Sequence, residues 1–157
     1  MSSNKRTKDQ SAINENNAPN FSINLQYLKD ISFENPTSPA VFFQKNKEQP
    51  QLKVNVDVLV NKINESSYEV ILGISADATM HEDKIYILEL KYAAIVAVLQ
   101  SLTTIQIKRH LMVDVPTLLL PFARQIIATI VRDGGFTALV LDPINFEALY
   151  KQHTEQN

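Results

Sequence analysis

Residues 52–92 read LKVNVDVLVNKINESSYEVILGISADATMHEDKIYILELKY, and their alternation decides the fold. Leu52, Val54, Val56, Val58 and Val60 take every second position, with Lys53, Asn55 and Asp57 between them, the pattern of a strand buried on one face. Asn64-Glu65-Ser66-Ser67 interrupts the run, and Tyr68, Val70, Leu72, Ile74, Ala76 and Ala78 resume it. So short a polar link predicts an antiparallel hairpin. His81-Glu82-Asp83-Lys84 reads as the next turn. The segment after it, Ile85 to Tyr92, is apolar at both parities near its start and alternates only later, so a fourth strand covered in part on both faces is expected.

Upstream, Phe21, Ile23, Leu25, Tyr27, Lys29, Ile31 and Phe33 fill the odd positions of another alternating run, which predicts a first strand with an apolar odd face. Pro36 and Pro39 end it, because neither has an amide proton to give to a sheet. A loop carrying Val41, Phe42 and Phe43 follows. Residues 1–20 are polar, contain no aromatic side chain and lack the apolar core of a signal peptide, so they read as a disordered arm.

Downstream, Ala93, Ala94, Ala97 and Leu99 favour helix after Tyr92, and a helix is expected somewhere within residues 100–112. Pro121 is placed to open the next helix, which carries Phe122, Ile126, Ile127, Ile130 and Val131 at helical spacing and stops at Gly134-Gly135. A shorter helix is expected to start from Asp142 as N-cap with Pro143 in its first turn, placing Phe146, Leu149 and Tyr150 on one side. Residues 154–157 are expected to fray. Together these elements predict an α+β fold in a single domain over residues 21–153: a four-stranded antiparallel sheet followed by two principal helices.

Composition narrows the chemistry. The 157 residues are 45% hydrophobic and 20% charged with a net charge of -2, an ordinary globular balance with no nucleic-acid or polybasic membrane footprint. The absence of cysteine removes disulfides, thiolate metal sites and cysteine nucleophiles, and three glycines cannot build a Gly-rich phosphate cradle. His81, His110 and His153 lack metal-ligand spacing, and no serine sits in a nucleophile elbow. Lys108-Arg109-His110 reads as a solvated helix end. No metal and no cofactor are expected, and the chain reads as a binding protein, not an enzyme.

Two surfaces stand out as candidates. Asp30 and Glu34 have the polar parity of the first strand, while Glu89 and Ile87 lie opposite Tyr86, Leu88 and Leu90 in the fourth. An outer sheet face carrying Asp30, Glu34, Ile87 and Glu89 suits a basic protein partner. Phe42 and Phe43 in the proline-bounded loop, with Tyr86, Leu149 and Tyr150, are candidates for a groove that takes apolar side chains.

Three stretches carry a family resemblance. Lys29-Asp30-Ile31-Ser32-Phe33-Glu34-Asn35-Pro36 with Ser38-Pro39 and Val41-Phe42, then Pro116-Thr117-Leu118-Leu119-Leu120-Pro121-Phe122-Ala123-Arg124, then Phe136 and Leu141-Asp142-Pro143-Ile144-Asn145-Phe146-Glu147-Ala148-Leu149-Tyr150, resemble the motifs of the SecB protein-export chaperones. The resemblance runs from about residue 21 to 150. It implies a homotetramer assembled as a dimer of dimers, cytoplasmic, that holds unfolded precursor proteins and delivers them to the SecA motor without ATP hydrolysis of its own. It also implies that SecA's basic tail meets Asp30, Glu34, Ile87 and Glu89. Where the family commonly has a glycine pair after its fourth strand, this chain has Ala93-Ala94. A general holdase, or a chaperone attached to a toxin–antitoxin pair, would use the same fold.

Overall fold

The computed structural model describes residues 18–45 and 48–156. Four strands, β1 (Phe21–Glu34), β2 (Gln51–Lys62), β3 (Ser67–Met80) and β4 (Asp83–Val98), form one antiparallel sheet in the order β1-β4-β3-β2. Of the arm, residues 1–17 lie outside the described residues, and residues 18–20 are exposed and belong to no strand. His81 and Glu82 make the turn between β3 and β4 with φ of 50° and 75°. Both values match the left-handed backbone that a tight hairpin link demands. Nε2 of His81 lies 2.7 Å from Glu48, so this histidine is part of a surface turn.

β4 runs 16 residues, well past Tyr92, so Ala93, Ala94 and Ala97 are strand residues and not the start of a helix. Packing overrides their helical propensity: Ala93 and Ala94 are fully buried at the centre of the sheet, where β-branched Ile95, Val96 and Val98 continue the ladder. β1 departs from simple alternation in a second way. Its register shifts between Ile23 and Leu25 and again between Leu28 and Asp30. Each shift leaves one residue unpaired, so Leu25 and Tyr27 turn to the outer face and Gln26 and Leu28 to the inner one. The second shift restores the original parity. Ile31 and Phe33 point inward again, and Asp30 and Glu34 outward.

A single helical rod, Thr104–Asp133, lies on the inner face. Its first segment, α1 (Thr104–Arg109), starts at a capping box: Thr103 accepts from the Gln106 amide, and the Gln106 side chain accepts from the Thr103 amide. A π turn, His110–Asp114, joins it to α2 (Val115–Asp133). There the Val115 amide donates to His110 O, five residues back, just ahead of Pro116, which has no amide to continue the ladder. Pro121 therefore lies inside α2 and does not begin it. The helix starts earlier because the π turn ahead of Pro116 takes up its missing amide and lets the rod run on through both prolines.

Val115, Leu119, Ala123, Ile127 and Val131 of α2 are buried against Val70, Leu72, Leu88, Leu90 and Val96 of the sheet. Each large side chain so removed from water contributes ~1.5–3 kcal/mol. The last helix, α3 (Phe146–Glu155), begins three residues beyond the expected cap, because Asn145 and not Asp142 accepts from the Ala148 amide. It continues through Thr154 and Glu155, two of the residues expected to fray, and Thr154 Oγ1 donates back to Tyr150 O.

Candidate functional site

The sheet register orders the outer face into rows that cross all four strands. Glu34, Ile87, Asp77 and Lys53 form one row; Ser32, Glu89, Ser75 and Asn55 the next; Asp30, Lys91, Gly73 and Asp57 the third. At ~4.8 Å between strands and ~7 Å between same-face neighbours along a strand, these rows make a platform of roughly 14 Å by 14 Å. Serine and glycine at its centre keep it flat. Asp30, Glu34 and Glu89 are exposed and Ile87 half-buried, the one large apolar side chain among the three rows. The structure thus brings all four predicted residues to one surface. Lys84 pairs with Asp77, whereas among the described residues no ion pair engages Asp30, Glu34, Asp57 or Glu89.

Next to the platform the same face becomes apolar, with Leu25, Leu59, Ile71, Ala93 and Ile95, and a polar clamp crosses it. Tyr27 Oη and Lys29 Nζ of β1 both donate to Glu69 Oε1 of β3, and Asn61 Nδ2 of β2 donates to Oε2 at 3.1 Å. Tyr27 reaches Glu69 across β4, where its directly opposed residue is the small Ala93. The bond from Lys29, and then those from Tyr27 and Asn61, hold the Glu69 carboxyl down to about 2. Donating to that carboxylate pushes the Tyr27 phenol up to about 12. Alternation alone placed Tyr27 and Lys29 on the buried face; the two register shifts put them here.

An aromatic cluster stands at the Glu34 end of the sheet. Phe33 stacks on Tyr86 at 5.7 Å, Tyr86 meets Phe136 at 5.2 Å, and Phe136 meets Phe42 at 5.4 Å. The series runs from buried to open: Tyr86 is 3% exposed, Phe42 48% and Phe43, on the same 3-10 turn Ala40–Phe43, 80%. Burial raises the Tyr86 phenol above its ordinary value. Gly134 and Gly135 permit the stack. A Cβ on Gly134 would stand 2.5 Å from Phe33 Cζ, and one on Gly135 2.8 Å from Phe42, where φ is also +92°. Asn35 Nδ2 donates to Gly134 O at 3.0 Å and ties the end of β1 to the same turn.

Of the five predicted groove residues, Phe42, Phe43 and Tyr86 come together, with Tyr86 as a buried floor. Leu149 and Tyr150 do not join them. They ride on α3, which packs on the π turn at the other end of α2, and 19 helical residues span ~28 Å. Phe33 and Phe136 complete the cluster instead; Gly134-Gly135 directly before Phe136, in a chain with three glycines, was the available signal. Nor is the basic triplet at residues 108–110 a free helix end. Arg109 pairs with Glu147 at 2.7 Å, and Nδ1 of His110 bonds Asp114 at 2.6 Å while its ring lies 5.2 Å from Phe21.

One face offers charge and one end offers exposed aromatic surface, and together they define a sheet-and-helix binding protein. Comparison with known proteins narrows that class. A profile of the family described as preprotein translocase subunit SecB matches residues 14–157. Protein-export proteins SecB from Rhodopseudomonas palustris and Zymomonas mobilis are 39% and 40% identical, each over 88% of this chain and over 87% and 82% of their own lengths. The chain belongs to the SecB family of protein-export chaperones. The fold also resembles a SecB-like chaperone of Mycobacterium tuberculosis solved with an antitoxin peptide, at a TM-score of 0.66 and 12% identity, over 80% of this chain and 91% of that one.

Proposed function

We propose that this chaperone works in the cytoplasm as a dimer of dimers, holding unfolded precursor segments on its aromatic end and presenting its acidic platform to the SecA motor. The observation that carries the client half is the graded stack from Tyr86 to Phe42 and Phe43, which leaves two phenylalanines open on a rigid base. Contact with such a surface is non-directional, at ~25 cal/mol per Å² buried, and so selects apolar character and not sequence. Several weak contacts along one extended client then combine through avidity. Assembly is supported by α2, whose outward side leaves Leu118 51% and Phe122 47% exposed, more apolar surface than a helix facing water needs. In a tetramer the clusters of neighbouring chains would extend one another, and Leu149 and Tyr150 would line separate stretches of the client path.

The motor half rests on the three cross-strand rows, where the unpaired carboxylates of Glu34 and Glu89 flank Ile87 and that of Asp30 lies two rows on. A basic segment could neutralise Asp30, Glu34 and Glu89 while resting one apolar side chain on Ile87. The test has two arms on the purified full chain. Its mass in solution should be that of four chains, and it should slow the aggregation of an unfolded precursor; a monomer, or no effect at a stoichiometric ratio, would sink the client reading. Binding to purified SecA should weaken with salt, since charge contacts are screened. Capture of an antitoxin in place of SecA would favour the toxin–antitoxin role.

A further inference from the structure

Gly73 lies mid-strand in β3, a position where glycine ordinarily weakens a sheet. Nothing in the backbone demands it, since β3 pairs without interruption from Lys62↔Tyr68 to Gln51↔Thr79 and Gly73 is not among the residues with positive φ. The other two glycines make room for Phe33 and Phe42. Gly73 makes room for a carboxylate: a Cβ there would stand 2.5 Å from Asp57 Oδ1 and 3.1 Å from Oδ2. Asp57 is its direct cross-strand partner on β2, so the side chain leans inward and lies over the glycine instead of extending away from the sheet edge.

We infer that Asp57, seated in the notch left by Gly73, is a further contact residue for the basic partner and carries the acidic platform across to β2. This rests on the motor reading above and extends it. Asp57 is exposed, and among the described residues no cation lies within ion-pair distance of it. It shares a row with Asp30, at the far side of Lys91 and Gly73. The two residues thus stand on opposite edge strands, their backbones three strand spacings or roughly 14 Å apart, with the Asp57 carboxylate drawn inward over β3. With Glu34 and Glu89, the acidic groups extend from β1 across β4 to β3. A basic segment lying across the strands could then meet charge on both sides of β4, whereas a platform confined to β1 and β4 would hold only one side of it.

Asp57→Asn removes the charge at constant shape, and Gly73→Ala displaces the carboxylate while keeping the charge. Affinity for purified SecA at low salt is expected to fall about three- to fivefold in Asp57→Asn. Gly73→Ala should lose about twofold, and the double variant should be no weaker than Asp57→Asn alone. Glu89→Lys in parallel separates the two ideas. If Glu89→Lys weakens binding and Asp57→Asn does not, the inference is overturned and the motor reading stands; if neither does, the motor reading itself fails. Should Gly73→Ala weaken binding equally with Asp57 already replaced, the glycine is serving the strand and not the carboxylate, which also overturns the inference.

Discussion

The acidic platform and the aromatic end lie on one sheet, yet they are built by different rules. Every platform residue owes its place to strand parity: Asp30, Glu34, Ile87 and Glu89 face outward because they alternate with Ile31, Phe33, Leu88 and Leu90, which do not. The aromatic end joins four separate stretches of chain, at Phe33, Phe42, Tyr86 and Phe136, and two glycines let the rings approach. A surface made by parity tolerates exchange of any one side chain, since the backbone places the others. One made by interlocking rings does not.

The largest effects should therefore appear at the glycines. Gly135→Ala puts a Cβ at φ +92° and 2.8 Å from Phe42. Strain of that kind costs ~1–3 kcal/mol, and relieving it means moving Phe42 off Phe136. Chemical denaturation at fixed protein concentration should show the loss in stability, together with weaker capture of an unfolded precursor. SecA affinity should stay within twofold. Equal losses on both surfaces would mean that the two regions are not independent.

Glu69 tests the side of the platform away from the aromatic end, with an effect that depends on pH. Its folded carboxyl sits near 2 against an ordinary 4.5, so the clamp's stabilisation is complete above pH 4.5 and is lost as the pH falls toward 2. Glu69→Gln should cost ~1–2 kcal/mol at pH 7. The gap between variant and parent should narrow steadily below pH 4.5 and nearly close by pH 2. A gap that stays constant with pH would assign the loss to packing around Tyr27 and not to charge.

The same contrast explains what the sequence reveals. The hairpins, the turn at His81-Glu82 and the outward set in β4 follow from period-two patterns, which local residues encode. Alternation also gives the outward direction of Asp30 and Glu34, although two register shifts intervene, because the second shift reverses the first. Between the shifts the reading fails: Tyr27 and Lys29 lie outside, since a bulge depends on partners in β4 and not on the β1 sequence itself. The end of β4 was hidden for a related reason. Alanine favours helix in isolation, and only burial between Tyr27's strand and β3 makes Ala93 a strand residue. Residue type groups Leu149 and Tyr150 with Phe42, but ~28 Å of helix separates the ends on which they sit.

On the platform, Glu89→Lys should weaken SecA binding about tenfold at low salt and much less at high salt, because an exposed charge contact is screened within ~10 Å at 0.1 M. Capture of unfolded precursor should not change. Loss of both activities would imply that the variant disturbs the sheet and not merely its outer charge.

Phe43→Ala should give the smallest effect and the cleanest contrast with Glu89→Lys. Phe43 is 80% exposed and absent from the ring contacts among Phe33, Phe42, Tyr86 and Phe136, so stability should stay within ~0.5 kcal/mol of the parent. Its apolar surface remains available to a client, and truncation should reduce precursor affinity about threefold to fivefold per site. Because water exclusion drives that contact, the loss should persist as salt is raised, while the loss from Glu89→Lys fades. Isothermal titration of both variants against one precursor and against SecA, at two salt concentrations, reads the whole contrast. A Phe43→Ala defect that vanished with salt would place client capture on the charged face and reverse the division of labour between the two surfaces.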